Sequence, residues 1–457
     1  MPKVFPSVSS VVDDVSMSVR HRPVLTYGTQ MAVRAGIVVT GTEVLTGRVP
    51  DRNGPWLAEQ LRVVGLDVGR VVVVGDRPAD LVAALQHLWG DHDLLITSGG
   101  LGPTADDLTA RIVGDVQGRP SRLDPDLERR VAAVVEAFLA RRRWKGDPEA
   151  VAAGTRKQAT VPEGAVVLEP VGTAPGLVVP PGPGRGGPPI VVLPGPPFEL
   201  RTMWPAALAA PPVAALLARA TPLRQDTIRL WGALEAELAA TLRRIEAEIG
   251  DLDVCTCLRD GELEIVTRYA PAARDRLDLL RRTVLADFAA TVFSTDGAAV
   301  DDVVAAALTA RGWTVATAES CTGGLLGARL TARPGSSAYV RGTVVGYADD
   351  VKSSLLGVPT ATLQAHGAVS EQVAQALAEG VRTALGADVG VGVTGVAGPG
   401  GGTPAKPVGT VHLAVVSPAG RRTRRLSLPG DRDAVRHRTV VTALHELRLL
   451  LTRDAGE

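Results

Sequence analysis

The segment 318-AESCTGG-324 sets a serine and a cysteine side by side after an apolar run, with two glycines behind them. A hydroxyl or thiol there can attack an electrophilic carbon once a base takes its proton. Backbone N–H groups at the start of a following helix are unpaired, and would hold an anion or the oxyanion of a tetrahedral intermediate. Ser320 is the candidate nucleophile, with Gly323 and Gly324 permitting close backbone approach. Cys321 is the intrinsically better nucleophile, but adjacent side chains diverge and no histidine falls in an elbow or triad pattern beside it. It reads as a small buried apolar residue.

Lysine is the economical base. The last third of the chain holds Lys352 and Lys406, and Lys352 follows a strand end in 347-YADDVKSSLLG-357. A lysine partly withdrawn from water can lose its proton near neutral pH; the plainer alternative is a surface helix residue. A third cluster, 394-TGVAGPGGG-402, follows the apolar run DVGVGV. Ligands of open α/β sheets bind at the carboxyl ends of strands. Ser320, Tyr347 with Lys352, and Thr394 with Gly395 and Gly398 are expected to meet at such an edge.

A second constellation lies far upstream in 97-TSGGLGPTADDLT-109. Gly99, Gly100 and Gly102 allow a backbone cradle for phosphate. Asp106 and Asp107 offer oxygen ligands to Mg²⁺ or a similar divalent cation, and Thr104 and Thr109 offer hydroxyls. The plainer alternative is a glycine turn followed by acidic residues at a helix start. It is not a Walker loop, since G-K-[ST] is missing.

The elements that must position these groups alternate. An apolar strand within 34–47, then strands at 68–76 and 93–100, with helices between them, form a doubly wound α/β pattern. Helix 123–143 should bury a stripe of Val131, Val134, Val135, Phe138 and Leu139. The run 180-PPGPGRGGPP-189 is a loop, and a strand over 190–195 follows it. Residues 206–292 read as a small α+β unit, in which 262-ELEIVTRY-269 alternates as a half-buried strand does. The last domain, 293–457, is α/β, with strands at 313–320, 343–347, 388–395 and 410–417. The expected organisation is an extension over 1–33, then domains over 34–205, 206–292 and 293–457. Met31 begins the first well-patterned segment.

Composition bounds the rest. The 457 residues exceed one ordinary core, and an aliphatic, weakly aromatic composition (3% Phe, Trp and Tyr) suits buried parallel sheets. Lys plus Arg equals Asp plus Glu at 49 each, so nucleic acid is not an expected partner. The basic runs 141-RRR-143 and 421-RRTRR-425 read as solvated faces. Three cysteines make no disulfide framework; Cys255 and Cys257 would share one face of a strand, without metal-ligand spacing. No membrane span or signal peptide is expected, and a reducing cytoplasmic setting fits. A homodimer is the default assembly.

Taken together, AESCTGG, GSS at 335–337, Tyr347 with Lys352, 367-GAVS-370, 394-TGVAGPGG-401 and 406-KPVGT-410 resemble the C-terminal domain of the competence/damage-inducible CinA proteins. That domain also occurs alone as nicotinamide-nucleotide amidase. The resemblance implies hydrolysis of nicotinamide mononucleotide to nicotinate mononucleotide and ammonia, without a cofactor. It implies Ser320 as nucleophile, Lys352 as base, and Thr394 and Tyr347 as supports. Glycine-rich turns, Ser336, Ser337 or a nearby Arg would take the phosphate. Upstream, 41-GTEVLTG-47, Asn53, 75-GD-76, 97–109, 172-GTAPG-176 and 194-PGPPFE-199 resemble the family's molybdopterin-binding-like domain. This implies metal-dependent hydrolysis of ADP-ribose to AMP and ribose 5-phosphate, with Glu43, Asn53, Asp76, Asp106 and Asp107 as substrate or metal contacts. Glu169 stands where relatives usually have Asn, and would repel a phosphate or recruit a cation. The alternatives are a regulatory nucleotide- or pterin-binding N-terminal domain beside an active amidase, or a competence-associated protein without activity.

Overall fold

The computed structural model describes residues 26–27, 30–31, 33–143, 146–220, 223–250, 252–259 and 261–452. The expected extension over 1–33 lies almost wholly outside them. The chain divides into two compact units, Met1–Arg224 and Gln225–Glu457.

In the first unit, β1 (Arg34–Thr40), α1 (Gly54–Val63), β2 (Asp67–Val74), α2 (Pro78–Trp89), β3 (Leu94–Ser98) and α3 (Thr109–Gln117) realise the doubly wound pattern. α4 (Pro125–Arg142) comes next, then β4 (Val166–Leu168), β5 (Gly176–Val179) and β6 (Ile190–Leu193). The sheet order is β2-β1-β3-β6-β5-β4. β1 is parallel to β2 and β3, and β6 to β3, while β5 runs antiparallel to both of its neighbours, β6 and β4. β3, β5 and β6 are buried throughout, as expected where helices cover both sheet faces. The stripe expected on α4 is only partly buried. Leu127 and Val131 are covered, but Phe138 lies outside, under the guanidinium of Arg142. The expected boundary near Pro205 falls inside α5 (Pro197–Ala209), and Val213 beyond it belongs to the same apolar core.

The second unit holds two sheets. The middle one is built from β7 (Arg224–Trp231), β8 (Asp253–Arg259), β9 (Glu262–Tyr269) and β10 (Val292–Ser294), in the order β8-β9-β7-β10. Helices α6 (Glu235–Ile249) and α7 (Arg274–Phe288) cover it. β9 is not half-solvated. Glu262, Thr267 and Arg268 are buried along with its apolar residues. Glu262 is held by an ionic and aromatic cluster shared with the last helix, and Arg268 pairs with Asp253 of β8.

The final sheet comprises β11 (Val315–Glu319), β12 (Val340–Val345), β13 (Val389–Gly395), β14 (Thr410–Ser417) and β15 (Gly420–Ser427), in the order β12-β11-β13-β14-β15. The first three are mutually parallel and the last two antiparallel. Around it lie α8 (Val300–Arg311), α9 (Leu325–Thr331), α10 (Asp349–Leu356), α11 (Glu371–Ala384) and α12 (Arg432–Leu451). The alternation in VGVGV follows from packing. Val389, Val391 and Val393 enter the main core. A Cβ at Gly390 or Gly392 would lie 2.0 or 2.2 Å from carbonyl oxygens of α11, so only glycine admits this helix.

The basic run 421–425 is strand β15, and it is not uniformly solvated. Arg422 and Arg424 each reach a carboxylate oxygen of Glu446 at 2.6 Å, and Glu446 is almost completely buried on α12. Its neighbour in sequence, His445, is fully buried, stacked on Trp231 with ring centres 4.4 Å apart and edge-on to Phe293. Arg448 Nε donates to His445 Nδ1, so Nε2–H donates to Glu262 Oε1 at 2.7 Å and the ring is neutral.

Burial holds His445 below the ordinary histidine pKa despite Glu262. A depressed folded-state pKa means the unfolded chain takes up the proton first, so its stabilising contribution is present above pH ~6.5 and lost as pH falls. The thermal midpoint is expected to drop between pH 7 and 5, with a shallower slope in His445→Gln. Equal slopes in calorimetry of both proteins would contradict this role.

Candidate functional site

β11 ends at Glu319, level with Val345 of β12 and Val393 of β13. Ser320 therefore emerges between Gly346 and Thr394, and its N–H donates to Val393 O at 3.0 Å. The three clusters read from the sequence share one sheet edge.

The turn after Ser320 is fixed from below. Glu319 is fully buried, and its carboxylate accepts the N–H groups of Gly324 (2.9 Å), Leu326 (3.1 Å) and Gly327 (2.8 Å). The expectation that helix-start amides face the ligand is thereby corrected. α9 begins only at Leu325, and those amides already bind a side-chain anion. Gly323 and Gly324 have positive φ of 60° and 92°, which lets the chain turn back over the carboxylate. The N–H groups of Cys321 and Thr322 have no hydrogen-bonded oxygen among the described residues. Cys321 is 5% exposed in the core, and burial pushes its thiol up to about 12. At neutral pH it is an unreactive thiol.

Lys352 is not a surface residue: only 2% of it is exposed. Its Nζ donates to Tyr347 O at 3.0 Å and Asp349 Oδ1 at 2.9 Å. Its stem passes Gly346, where a Cβ would lie 3.4 Å from Lys352 Cγ and 3.0 Å from Leu356. Thr394 is buried, with Oγ1 donating to Ala368 O at 2.7 Å, so it anchors the GAVS segment. Tyr347 is exposed, and its hydroxyl accepts from Arg432 at 3.2 Å. Arg432 also donates to Gly398 O at 2.8 Å, and Arg436 to Thr322 O at 3.0 Å. These two arginines of α12 give the edge positive charge, and only their tertiary placement identifies them. Ser336 and Ser337 do not join the site. They precede β12, at the opposite end of the parallel strands, roughly 17 Å away at strand rise.

In the first unit, the sequence-selected groups also gather at the carboxyl edge of the sheet. Gly99 and Gly100 follow β3 with positive φ. A Cβ on Gly99 would meet Thr40 O at 2.5 Å, and one on Gly100 would meet Thr109 Oγ1 at 2.1 Å. Thr109 is buried against this turn. Asp76 accepts from Thr42 N at 2.8 Å and Thr42 Oγ1 at 2.7 Å, while Glu43 stays exposed. Buried Asn53 donates to Ser98 Oγ at 2.9 Å and Gly195 O at 2.7 Å, tying the PGPP loop to β3. Asp106 and Asp107 both lie at the Thr104 hydroxyl, and Thr104 N donates to Asp107 at 3.0 Å. That contact with Thr104 holds the Asp106 carboxyl below its ordinary range. Lys157 reaches Thr104 O, and Gly102 packs on Asp107. Small clefts beside this loop are lined by Asp76, Gly100, Asp106 and Thr109, and by Gly102, Asp107 and Lys157. Glu169 pairs with Arg130, which offsets its charge. Glu199 of the PGPPFE segment lies against Gly172 of GTAPG, and burial raises its carboxyl pKa.

Residues 297–451 match the model of the CinA C-terminal domain, and residues 36–214 that of a probable molybdopterin binding domain. A CinA-like protein of Mycolicibacterium gilvum is 54% identical over 427 residues, covering 92% of this chain and 99% of its own. One from Mycobacterium tuberculosis is 49% identical, covering 93% and 99%. A solved CinA superfamily protein of Klebsiella pneumoniae is 40% identical, covering 33% of this chain and 95% of its own, with a TM-score of 0.33.

Losing the Glu319 carboxylate leaves three amides without an acceptor. Glu319→Ala should cost on the order of 3 kcal/mol, read as a denaturant midpoint shift. The amide hydrogens of Gly324, Leu326 and Gly327 should exchange faster. An unchanged midpoint would remove Glu319 as the organiser of the turn.

Proposed function

The chain belongs to the CinA family, and on that premise we propose that its C-terminal domain hydrolyses nicotinamide mononucleotide to nicotinate mononucleotide and ammonia. The observation that carries this reading is the shared sheet edge of Ser320, Thr394 and the segment from Gly346 to buried Lys352. Ser320 Oγ attacks the carboxamide carbon, and its proton passes to the Lys352 amine, positioned by Tyr347 O and Asp349. N–H groups beside Ser320 or in the 395–401 loop serve the developing oxyanion. Collapse breaks the C–N bond, ammonia leaves with the proton, and water releases the acid from Ser320. Arg432 and Arg436 supply the charge that a nucleotide phosphate requires.

Ser320→Ala and Lys352→Ala should each lower ammonia release from nicotinamide mononucleotide on the order of 10² or more, chiefly in kcat. Cys321→Ser should keep most of it. Near-normal turnover in Ser320→Ala, with loss in the Cys321 variant, would reverse the assignment. Absence of ammonia release from the wild type would favour a binding or competence-associated role.

A second reading concerns the first unit: hydrolysis of ADP-ribose to AMP and ribose 5-phosphate. Its support is the exposed pair Asp106 and Asp107 beside the glycine turn. The donor set fits a hard cation that retains water and binds substrate phosphate, although no cluster of three ligand side chains occurs among the described residues. Asp106 and Asp107 would hold that ion, which would supply charge neutralisation at the diphosphate. The chain's own part is the Gly99–Gly100 cradle, with Asp76 and Asn53 fixing the loops around it. AMP formation should cease in chelator and in the Asp106→Asn/Asp107→Asn double variant. Unchanged AMP formation rejects the metal assignment; nucleotide binding without turnover marks a regulatory module.

A further inference from the structure

Neither 172-GTAPG-176 nor the acidic end of 194-PGPPFE-199 has a task in the chemistry so far. Both lie at the carboxyl edge of the first sheet. Leu193 of β6 is level with Ser98 of β3, and the loop beyond it runs beside the glycine turn: a Cβ on Gly195 would stand 3.7 Å from Gly99 Cα. Leu177 of β5 faces Val192 of β6, so GTAPG arrives at the same edge.

Glu199 sits in the first turn of α5 and is half-buried. Its carboxylate rests on Gly172. A Cβ there would lie 2.1 Å from Oε1 and 2.5 Å from Oε2. Gly172 does not have left-handed backbone, so its missing side chain makes room for the carboxylate and does not serve a turn. The notch fits this group closely, yet the carboxylate has neither hydrogen bond nor ion pair among the described residues. Burial without such compensation is what raises its pKa. A perturbed, unpartnered carboxyl beside a phosphate cradle marks a binding group. The neighbourhood narrows what it can bind. A phosphate placed directly on it would be repelled. A cation needs more ligands, and Glu199 forms no cluster of three metal-binding side chains with Asp106 and Asp107 among the described residues. The cradle favours a phosphorylated ligand, and the uncharged part of such a ligand that offers paired donors is a sugar diol. Acidic side chains accept ribose hydroxyls in this way in dinucleotide sites.

We propose that Glu199 is the ribose-reading residue of the first unit: with phosphate on the Gly99–Gly100 turn, the sugar extends along the PGPP loop and its vicinal hydroxyls donate to the carboxylate seated on Gly172. This rests on the reading of the first unit as a site for ADP-ribose. It names the group that makes the site select a ribosyl phosphate over other phosphates.

The experiment is calorimetric titration of the full chain with ribose 5-phosphate, 2-deoxyribose 5-phosphate and inorganic phosphate. Wild type should bind the ribose form about tenfold tighter than the deoxy form, because one hydrogen bond to a charged group is lost. Glu199→Ala should bind the two sugars about equally. Gly172→Ala should do the same with the carboxylate still present, since the new methyl group displaces it from its seat. Inorganic phosphate should bind all three proteins alike, which shows that the cradle is intact. AMP formation from ADP-ribose, measured alongside, separates the two claims. A wild type that prefers the ribosyl probe but forms no AMP loses the pyrophosphatase reading and keeps Glu199 as the sugar's acceptor. A wild type that forms AMP but binds both sugars equally overturns the proposal. So does a preference that survives in either variant, or a wild type that binds neither sugar phosphate.

Discussion

Three backbone amides converge on the carboxylate of Glu319, a charge sealed from water at the end of a central strand. An uncompensated carboxylate there would cost several kcal/mol. The turn over it must therefore close, and closing it dictates two glycines of positive φ and a short helix lying close to β12. The closeness has its own requirement. Gly327 packs where a Cβ would be 2.0 Å from Thr343 Oγ1, and Thr343 is hydrogen bonded at 2.9 Å to Thr317 on the neighbouring strand. The position of Ser320 is thus set by a chain of contacts running beneath it, and the serine itself contributes little to the geometry.

This arrangement separates two uses of a helix start that look alike in sequence. Amides that receive a side-chain carboxylate cannot also receive a substrate. The positive charge at this edge comes instead from Arg432 and Arg436, on a distant helix. Burial makes a similar distinction between Ser320 and Cys321. The thiol is turned into the core and held protonated, while Ser320 is only half-buried at the strand end.

Much of this was legible beforehand. Strand periodicity and glycine punctuation gave the doubly wound first domain and the parallel core of the last, and strand ends named Ser320, Thr394 and the Lys352 segment. Three features were not legible, each for a tertiary reason. Alternation in 262–269 mimicked a solvated face because the charges that bury Glu262 lie nearly two hundred residues later. The run 421–425 resembled a surface patch because Glu446, its counter-charge, sits on another element. Ser336 and Ser337 belong to a recognisable motif, but the direction of β12 carries them to the far end of the sheet. Motif order in a chain says nothing about which end of a strand a segment occupies.

The last helix, α12, joins the edge that carries Ser320 to the middle sheet. Near its start Arg432 and Arg436 hold the loops around Ser320; near its end His445 and Arg448 are locked into the middle sheet through Glu262. The sixteen residue steps from Arg432 to Arg448 span about 24 Å of continuous helix. A body of that kind acts as a tie rod, too stiff to absorb displacement by bending. Any movement of the middle sheet that keeps hold of His445 must draw the two guanidinium groups along the rod's axis. The small module with no reactive cluster of its own is thereby joined, through one helix, to the arginines at the edge that carries Ser320.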